Sequence, residues 1–188
     1  MKILILDNYD SFTHNLFHYI EQFSDHVDVI RNDKFNLDEL QEYDGIILSP
    51  GPGLPKDAGM LMDILKKVPK DTAVLGVCLG LQAIVEFYGG KLTNLKQVLH
   101  GVATECNIVK ADPIFNEIGP KFKAGHYHSW VADSDHFPEN LEVLSQNENG
   151  LIMAIRHKTK NIRAVQFHPE SIMTPDGLLM IKNWVDFI

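Results

Sequence analysis

Through the first half of the chain, short uninterrupted apolar runs take turns with segments of helical period. "KILILD", "VDVIR", "DGIILS" and "TAVLGVC" are strand-length and rich in Ile, Val and Leu, whereas "SFTHNLFHYIEQF", "NLDELQEY", "AGMLMDILKKV" and "LQAIVEFYGG" read as helices. This order predicts parallel strands joined by helices. Ile3 to Leu6 and Ile46 to Leu48 are apolar at every position rather than at alternate ones, the pattern of strands covered by helices on both faces. The second half changes character. "GVATECNIV", "GHYHSWVA", "LEVLSQNE", "LIMAIRHK" and "IRAVQFH" are strand-like and are divided by turn-prone Asn, Gly, Asp and Pro, so an added mixed or antiparallel section is expected. A last amphipathic segment, "DGLLMIKNWVDFI", puts Leu178, Ile181, Trp184, Val185 and Ile188 on one face and predicts a closing helix. The expected fold is therefore α/β: an open, mostly parallel central sheet with helices on both faces plus a mixed or antiparallel section.

With 188 residues, 45% of them hydrophobic, the chain can bury one sizeable core, and residues 1–188 read as one domain. A net charge of -8 with no run of Lys or Arg opposes the attraction that nucleic acids and anionic membranes require. Small molecules or proteins are the expected partners. "MKILILDNYD" is too short for a signal-peptide core and no segment approaches a membrane span, which points to a cytoplasmic setting without membrane attachment. The two cysteines, Cys78 and Cys106, make neither a disulfide framework nor a four-ligand zinc pattern. Cys106, in "VATECNIV", reads as a small, half-buried strand residue. His126 and His128 in "GHYHSW" lack a third ligand at metal-binding spacing, so no metal is expected, and His14 and His100 read as structural or interfacial.

Chemistry concentrates in three stretches. "GVCLG" fits the pattern of a strand-to-helix elbow, in which a nucleophile stands on a strained turn at the edge of a parallel sheet. Gly76 and Gly80 would then relieve clashes where the chain reverses. Unpaired N–H groups and the positive end of the helix dipole favour thiolate over thiol at Cys78. Gln82 follows four residues later, on the same side of the helix, within reach of a ligand over the sulfur. A thiolate that attacks an acyl group needs a proton donor for the leaving group, and "AVQFHPES" supplies His168 with Glu170 two residues on. On an extended strand the two would project to the same face, with Pro169 biasing His168 toward that conformation. In "ILSPGPGLP", prolines 50, 52 and 55 donate nothing, leaving the N–H groups of Gly51 and Gly53 as local donors. With the N–H of Leu79, such a turn suits an oxyanion hole.

Taken together, "SPGPG", "GVCLGLQ" and "VQFHPES", in this order and at these spacings, resemble the class I glutamine amidotransferases along the whole chain. The resemblance implies the flavodoxin-like fold of that family and a glutaminase chemistry. Cys78 would attack the side-chain amide of L-glutamine, a γ-glutamyl thioester would form, ammonia would leave and water would release glutamate, with His168 and Glu170 completing a triad. By motif position Gly51 and Leu79 match the oxyanion donors, and Gly51, Pro52, Gly53, Gln82, Ser129 and Trp130 match residues that hold glutamine. No cofactor or metal is implied for this chain. "LDNYDSFTHNL", residues 6–16, is similar to the start of subunits that feed ammonia to chorismate-using synthases. The implied partner is such a synthase, one making anthranilate ahead of one making aminodeoxychorismate, with Mg²⁺ on the partner. Leu81 stands where the family often has histidine, and Val102 where a basic residue is common; both bear on how the partner engages. A thiol hydrolase of γ-glutamyl or peptide substrates would use the same elbow and histidine, while a non-catalytic binding subunit predicts loss of a triad residue, and all three are present.

Overall fold

All of residues 1–188 are described by the structure, a computed structural model. In chain order the strands are β1 (Lys2–Asp7), β2 (His26–Arg31), β3 (Gly45–Leu48), β4 (Ala73–Val77), β5 (Leu92–Ile108), β6 (Lys121–Ala132), β7 (Leu141–Asn147), β8 (Ile152–His157) and β9 (Ile162–Val165). The helices are α1 (Thr13–Ile20), α2 (Leu61–Lys67), α3 (Leu79–Phe87) and α4 (Gly177–Val185). The nine strands form one sheet in the order β2-β1-β3-β4-β9-β8-β7-β5-β6. From β2 to β9 the pairing is parallel, and from β9 to β6 it is antiparallel.

The apolar run in β1 shows why the sheet needs helices on both sides. Ile3 and Ile5 face a core shared with Leu16 of α1 and Trp184 of α4, while Leu4 and Leu6 face the opposite core, with Leu61 of α2 and Ile84 of α3. β3 and β4 are buried at every residue. No helix is long and apolar enough to cross a membrane.

Several elements differ from the sequence expectation. "NLDELQEY" forms a 3-10 turn, Leu37–Glu42, because only Leu40 turns inward and the Asn36 side chain accepts the N–H of Asp38. β5 begins well before "GVATECNIV"; its first half is largely exposed, so burial left no alternation in the sequence there. β9, last in the chain, returns to the parallel core beside β4 rather than joining the antiparallel section. In α4 the buried face carries Ile181, Trp184 and Val185 as expected, but Met180 takes the place assigned to Leu178, and Ile188 lies beyond the helix end and is exposed. Phe12 occupies the N-cap of α1 without a side-chain cap, and Asp10, two residues earlier, accepts from the Phe12 N–H at 2.8 Å.

Backbone packs closely where β4 turns into α3. A Cβ on Gly80 would stand 2.4 Å from the Leu48 carbonyl oxygen of β3, and one on Gly76 would stand 2.7 Å from the Gly80 carbonyl carbon. Both neighbours are backbone, so neither can rotate away. Gly80→Ala should lower stability by about 1–3 kcal/mol or more, the usual range for overpacking, read as a lower midpoint in thermal or urea unfolding.

Candidate active site

Cys78 has φ 52° and ψ -98°, a combination that L residues rarely adopt. Such a backbone costs on the order of 1–3 kcal/mol and persists only when its surroundings over-determine it. Here the Cys78 N–H donates to Val165 O of β9 at 2.8 Å, and the Cys78 carbonyl accepts from Gln82 N at 3.2 Å. Val77 is paired with Val165 in parallel register, so the residues just past the two strands meet at the carboxyl edge of the sheet. The sulfur sits there at the N-terminus of α3, whose first N–H, that of Leu79, has no carbonyl a turn earlier within the helix.

His168 and Glu170 lie beyond the end of β9, and they meet through a turn rather than along a strand. Pro169 supplies its fixed φ inside the turn, closed by Ser171 N to His168 O at 3.2 Å. This corrects the extended arrangement expected from spacing. His168 Nδ1 lies 2.7 Å from Glu170 Oε1, and both residues are buried. The Thr174 hydroxyl donates to His168 O at 2.7 Å and itself accepts from Gly125 N of β6 at 2.9 Å. The His168 ring is also flanked by Phe12 and Tyr127, at centroid distances of 5.2 and 5.0 Å. His168 Nε2 has no partner in hydrogen-bonding geometry, and His168 lines the same cavity as Cys78. Burial pulls this imidazole down, but Cys78 and Glu170 outweigh burial and push it up to about 10. The ring is therefore an imidazolium at neutral pH.

Cys78 opens onto two cavities. One, of about 350 Å³, is lined by Gly51, Pro52, Gly53, Gln82, Ser129 and Trp130, which brings together every residue assigned to glutamine by motif position. The other, of about 370 Å³, shares Gly51, Pro52 and Cys78 with the first and adds His168, Tyr9, Phe12 and His100. Glu170 lines neither and stands behind His168. The Gly51 N–H makes no backbone hydrogen bond and is available at the cavity wall. Its position is enforced by packing, since a Cβ on Gly51 would fall 2.6 Å from the Asn8 Cβ and 2.8 Å from a Leu79 methyl. Leu81 is buried in the core, whereas Val102 is exposed on β5.

Some contributors were given no role by the sequence, although Asn8 lies inside "LDNYDSFTHNL" and Gln166 inside "VQFHPES". Asn8 holds the turn before Gly51 from behind, with its N–H on Ser49 Oγ at 2.9 Å and its Nδ2 on Ser49 O at 2.8 Å; Asn32 in turn donates to Asn8 Oδ1 at 3.0 Å. Gln166, fully buried, points its Nε2 at Cys78 Sγ at 3.6 Å. The available signal was a lone amide inside the apolar run "RAVQF". His126 and His128 form a buried string, with Thr104 Oγ1 at 2.7 Å from His126 Nε2 and His126 Nδ1 at 3.2 Å from His128 Nε2. No group of three or more His, Cys, Asp or Glu side chains is arranged to hold a metal. Cys106 is fully rather than half buried, and burial pushes its thiol up to about 11.

Fold and site define an α/β protein of the nucleophile-elbow kind, with cysteine as the residue on the elbow. The family model described as glutamine amidotransferase class-I matches residues 4–187. The chain is 42% identical to anthranilate synthase beta subunit 2, chloroplastic, of Oryza sativa subsp. japonica, over 99% of this chain and 71% of the relative. It is 43% identical to anthranilate synthase component 2 of Lactococcus lactis subsp. lactis, over 98% of this chain and 93% of the relative. A solved structure of a putative GMP synthase subunit from Thermoplasma acidophilum has the same fold, with a TM-score of 0.89 at 23% identity, covering 99% of this chain and 92% of that one. The chain belongs to the class-I glutamine amidotransferase family, and its enzyme class is glutamine amidotransferase.

Two measurements follow from the site's chemistry. Iodoacetamide at neutral pH should label Cys78 and leave Cys106 unmodified in the folded protein, as read by peptide mass spectrometry, because Cys106 is sealed in the core with its thiol held high. Burial first, and neighbouring imidazoles second, lower His126 to about 4 and His128 to about 3. Over the window from about pH 6.5 downward the unfolded chain binds protons that the folded chain does not, so stability present above that pH is lost as pH falls toward these values. Thermal midpoints should therefore drop on acidification, and His128→Asn should flatten that drop.

Proposed function

We propose that this chain is the glutaminase subunit of a two-part synthase, hydrolysing L-glutamine and passing ammonia to a chorismate-using partner of the anthranilate synthase component I type. What carries this reading is the position of Cys78 between two cavities, one lined by Gln82, Ser129 and Trp130 and the other by His168. The relatives named as anthranilate synthase subunits match nearly the whole chain, which supports the choice of partner.

In this mechanism glutamine lies in the first cavity with its side-chain carbonyl oxygen against the N–H groups of Gly51 and Leu79. Cys78 Sγ attacks the amide carbon, and the oxyanion is met by those two donors. The imidazolium of His168 gives its Nε2 proton to the departing nitrogen, the C–N bond breaks, and NH₃ leaves a γ-glutamyl thioester. Neutral His168 then takes a proton from water, the resulting hydroxide attacks the thioester, and the sulfur departs with the C–S bond pair. Glu170 keeps Nδ1 oriented and offsets the positive ring in both halves. Glutamine and water become glutamate and ammonia, with no cofactor in this chain.

Ammonia that reached bulk water would become ammonium, so the second cavity is assigned to its exit toward the partner. The isolated chain accordingly turns over glutamine weakly. Chorismate chemistry and its Mg²⁺ belong to the partner synthase, and both proteins act in the cytoplasm, where a reducing medium keeps Cys78 free. Cys78→Ala should abolish glutamine-dependent synthesis by the assembled complex while synthesis from added ammonium salt continues. Loss of both activities, or survival of the first, contradicts this division of labour.

A further inference from the structure

Cys78 Sγ faces not only an imidazole but an amide, and the direction of that amide can be worked out. Gln166 follows β9 immediately; its own N–H is fixed on Met153 O at 2.8 Å, and its side chain is fully buried. A buried amide with no partner would cost free energy, so its two ends must be accounted for. One end lies 3.6 Å from Cys78 Sγ and the other 3.5 Å from the Gln82 amide. Gln82 in turn lies 2.9 Å from the Trp130 carbonyl oxygen on β6.

A carbonyl oxygen only accepts, so Gln82 must present Nε2 to Trp130. The second hydrogen of that same nitrogen then points toward Gln166, which has to answer with Oε1. This leaves Gln166 Nε2 at the sulfur as a donor. Flipping Gln166 would set two NH₂ groups against each other and turn carbonyl lone pairs toward a developing thiolate. The acceptor-only carbonyl of Trp130 thus orients a chain of two amides that ends in an N–H aimed at the nucleophile.

We propose that Gln166 is a further catalytic residue, donating an amide hydrogen bond to Cys78 Sγ in a direction set by the Trp130 carbonyl through Gln82. This rests on Cys78 as the nucleophile. The donor stabilises the sulfur when it carries negative charge, before attack and again as it departs from the thioester. Hydrogen bonds to a charged partner in a dry site are the strong ones. The same chain ties the wall of the glutamine cavity to the sulfur, since Gln82 and Trp130 both line it.

The test compares Gln166→Met and Gln166→Leu, which remove the donor at similar volume without placing a charge beside the sulfur. The rate of Cys78 alkylation by iodoacetamide is measured against pH, and glutamine-dependent and ammonium-dependent synthesis are measured in the assembled complex. Other titratable groups sharing the sulfur's cavities are His168, His128, His100, Asp10, Tyr9 and Tyr127, and both variants leave them in place. The alkylation profile should move up by about one pH unit, and the glutamine-dependent kcat should fall about tenfold, with the ammonium-dependent rate retained. A purely structural role would raise KM or lower the thermal midpoint and leave the alkylation profile where it was. An unmoved profile in a variant that retains ammonium-dependent synthesis overturns the proposal. Survival of glutamine-dependent synthesis in Cys78→Ala would instead overturn the nucleophile itself, so the two failures are separable.

Discussion

The structure depends on one backbone conformation, that of Cys78, which stands at positive φ between a strand and a helix. Nothing local favours it. Its stability comes from the Val165 carbonyl that fixes its N–H, from the helix that begins at the next residue, and from two glycines that let β3, β4 and α3 approach to within backbone contact. The strain is met by the buried parallel strands on both sides, and it lifts the sulfur clear of the sheet edge. A side chain on Gly80 would push α3 off β3, one on Gly76 would push it off β4, and in either case the strain would lose its support.

Around that sulfur the sheet edge collects groups from far-apart stretches of the chain. Gly51 follows β3, Gln82 rides on α3, Ser129 and Trp130 sit in β6, and Gln166 and His168 follow β9. In a parallel sheet all strands end on the same side, so loops after β3, β4 and β9 must share one rim. The antiparallel extension contributes differently, because β6 reaches back to cover the site and brings the cavity wall with it. It also carries the buried His126–His128 string, which stays neutral beside the charged His168.

The position of Glu170 shows how a short-range contact can have a long-range cause. Its pairing with His168 spans two residues, yet the turn that produces it is held by Thr174, which is itself held by β6, and is pressed from behind by the start of α4. A Cβ on Gly177 would overlap the Pro169 carbonyl at 1.8 Å. The closing helix therefore both covers a core face with Trp184 and sets the depth of the histidine turn.

The alternation of apolar runs and helical segments was enough to determine the α/β class, because strands buried on both faces must be apolar throughout, as Ile3 to Leu6 are. The paired glycines around Cys78 were legible because a strained turn in close backbone contact leaves few residue choices, and the proline-rich turn at Gly51 because prolines leave few local donors. Tertiary structure alone decided that β9 closes the parallel core, that His168 and Glu170 meet in a turn, and that Gln166, Asn8 and Thr174 serve the site. Those residues act through contacts with partners tens of residues away, and a hydrogen bond across such a separation imposes no period or spacing on the chain.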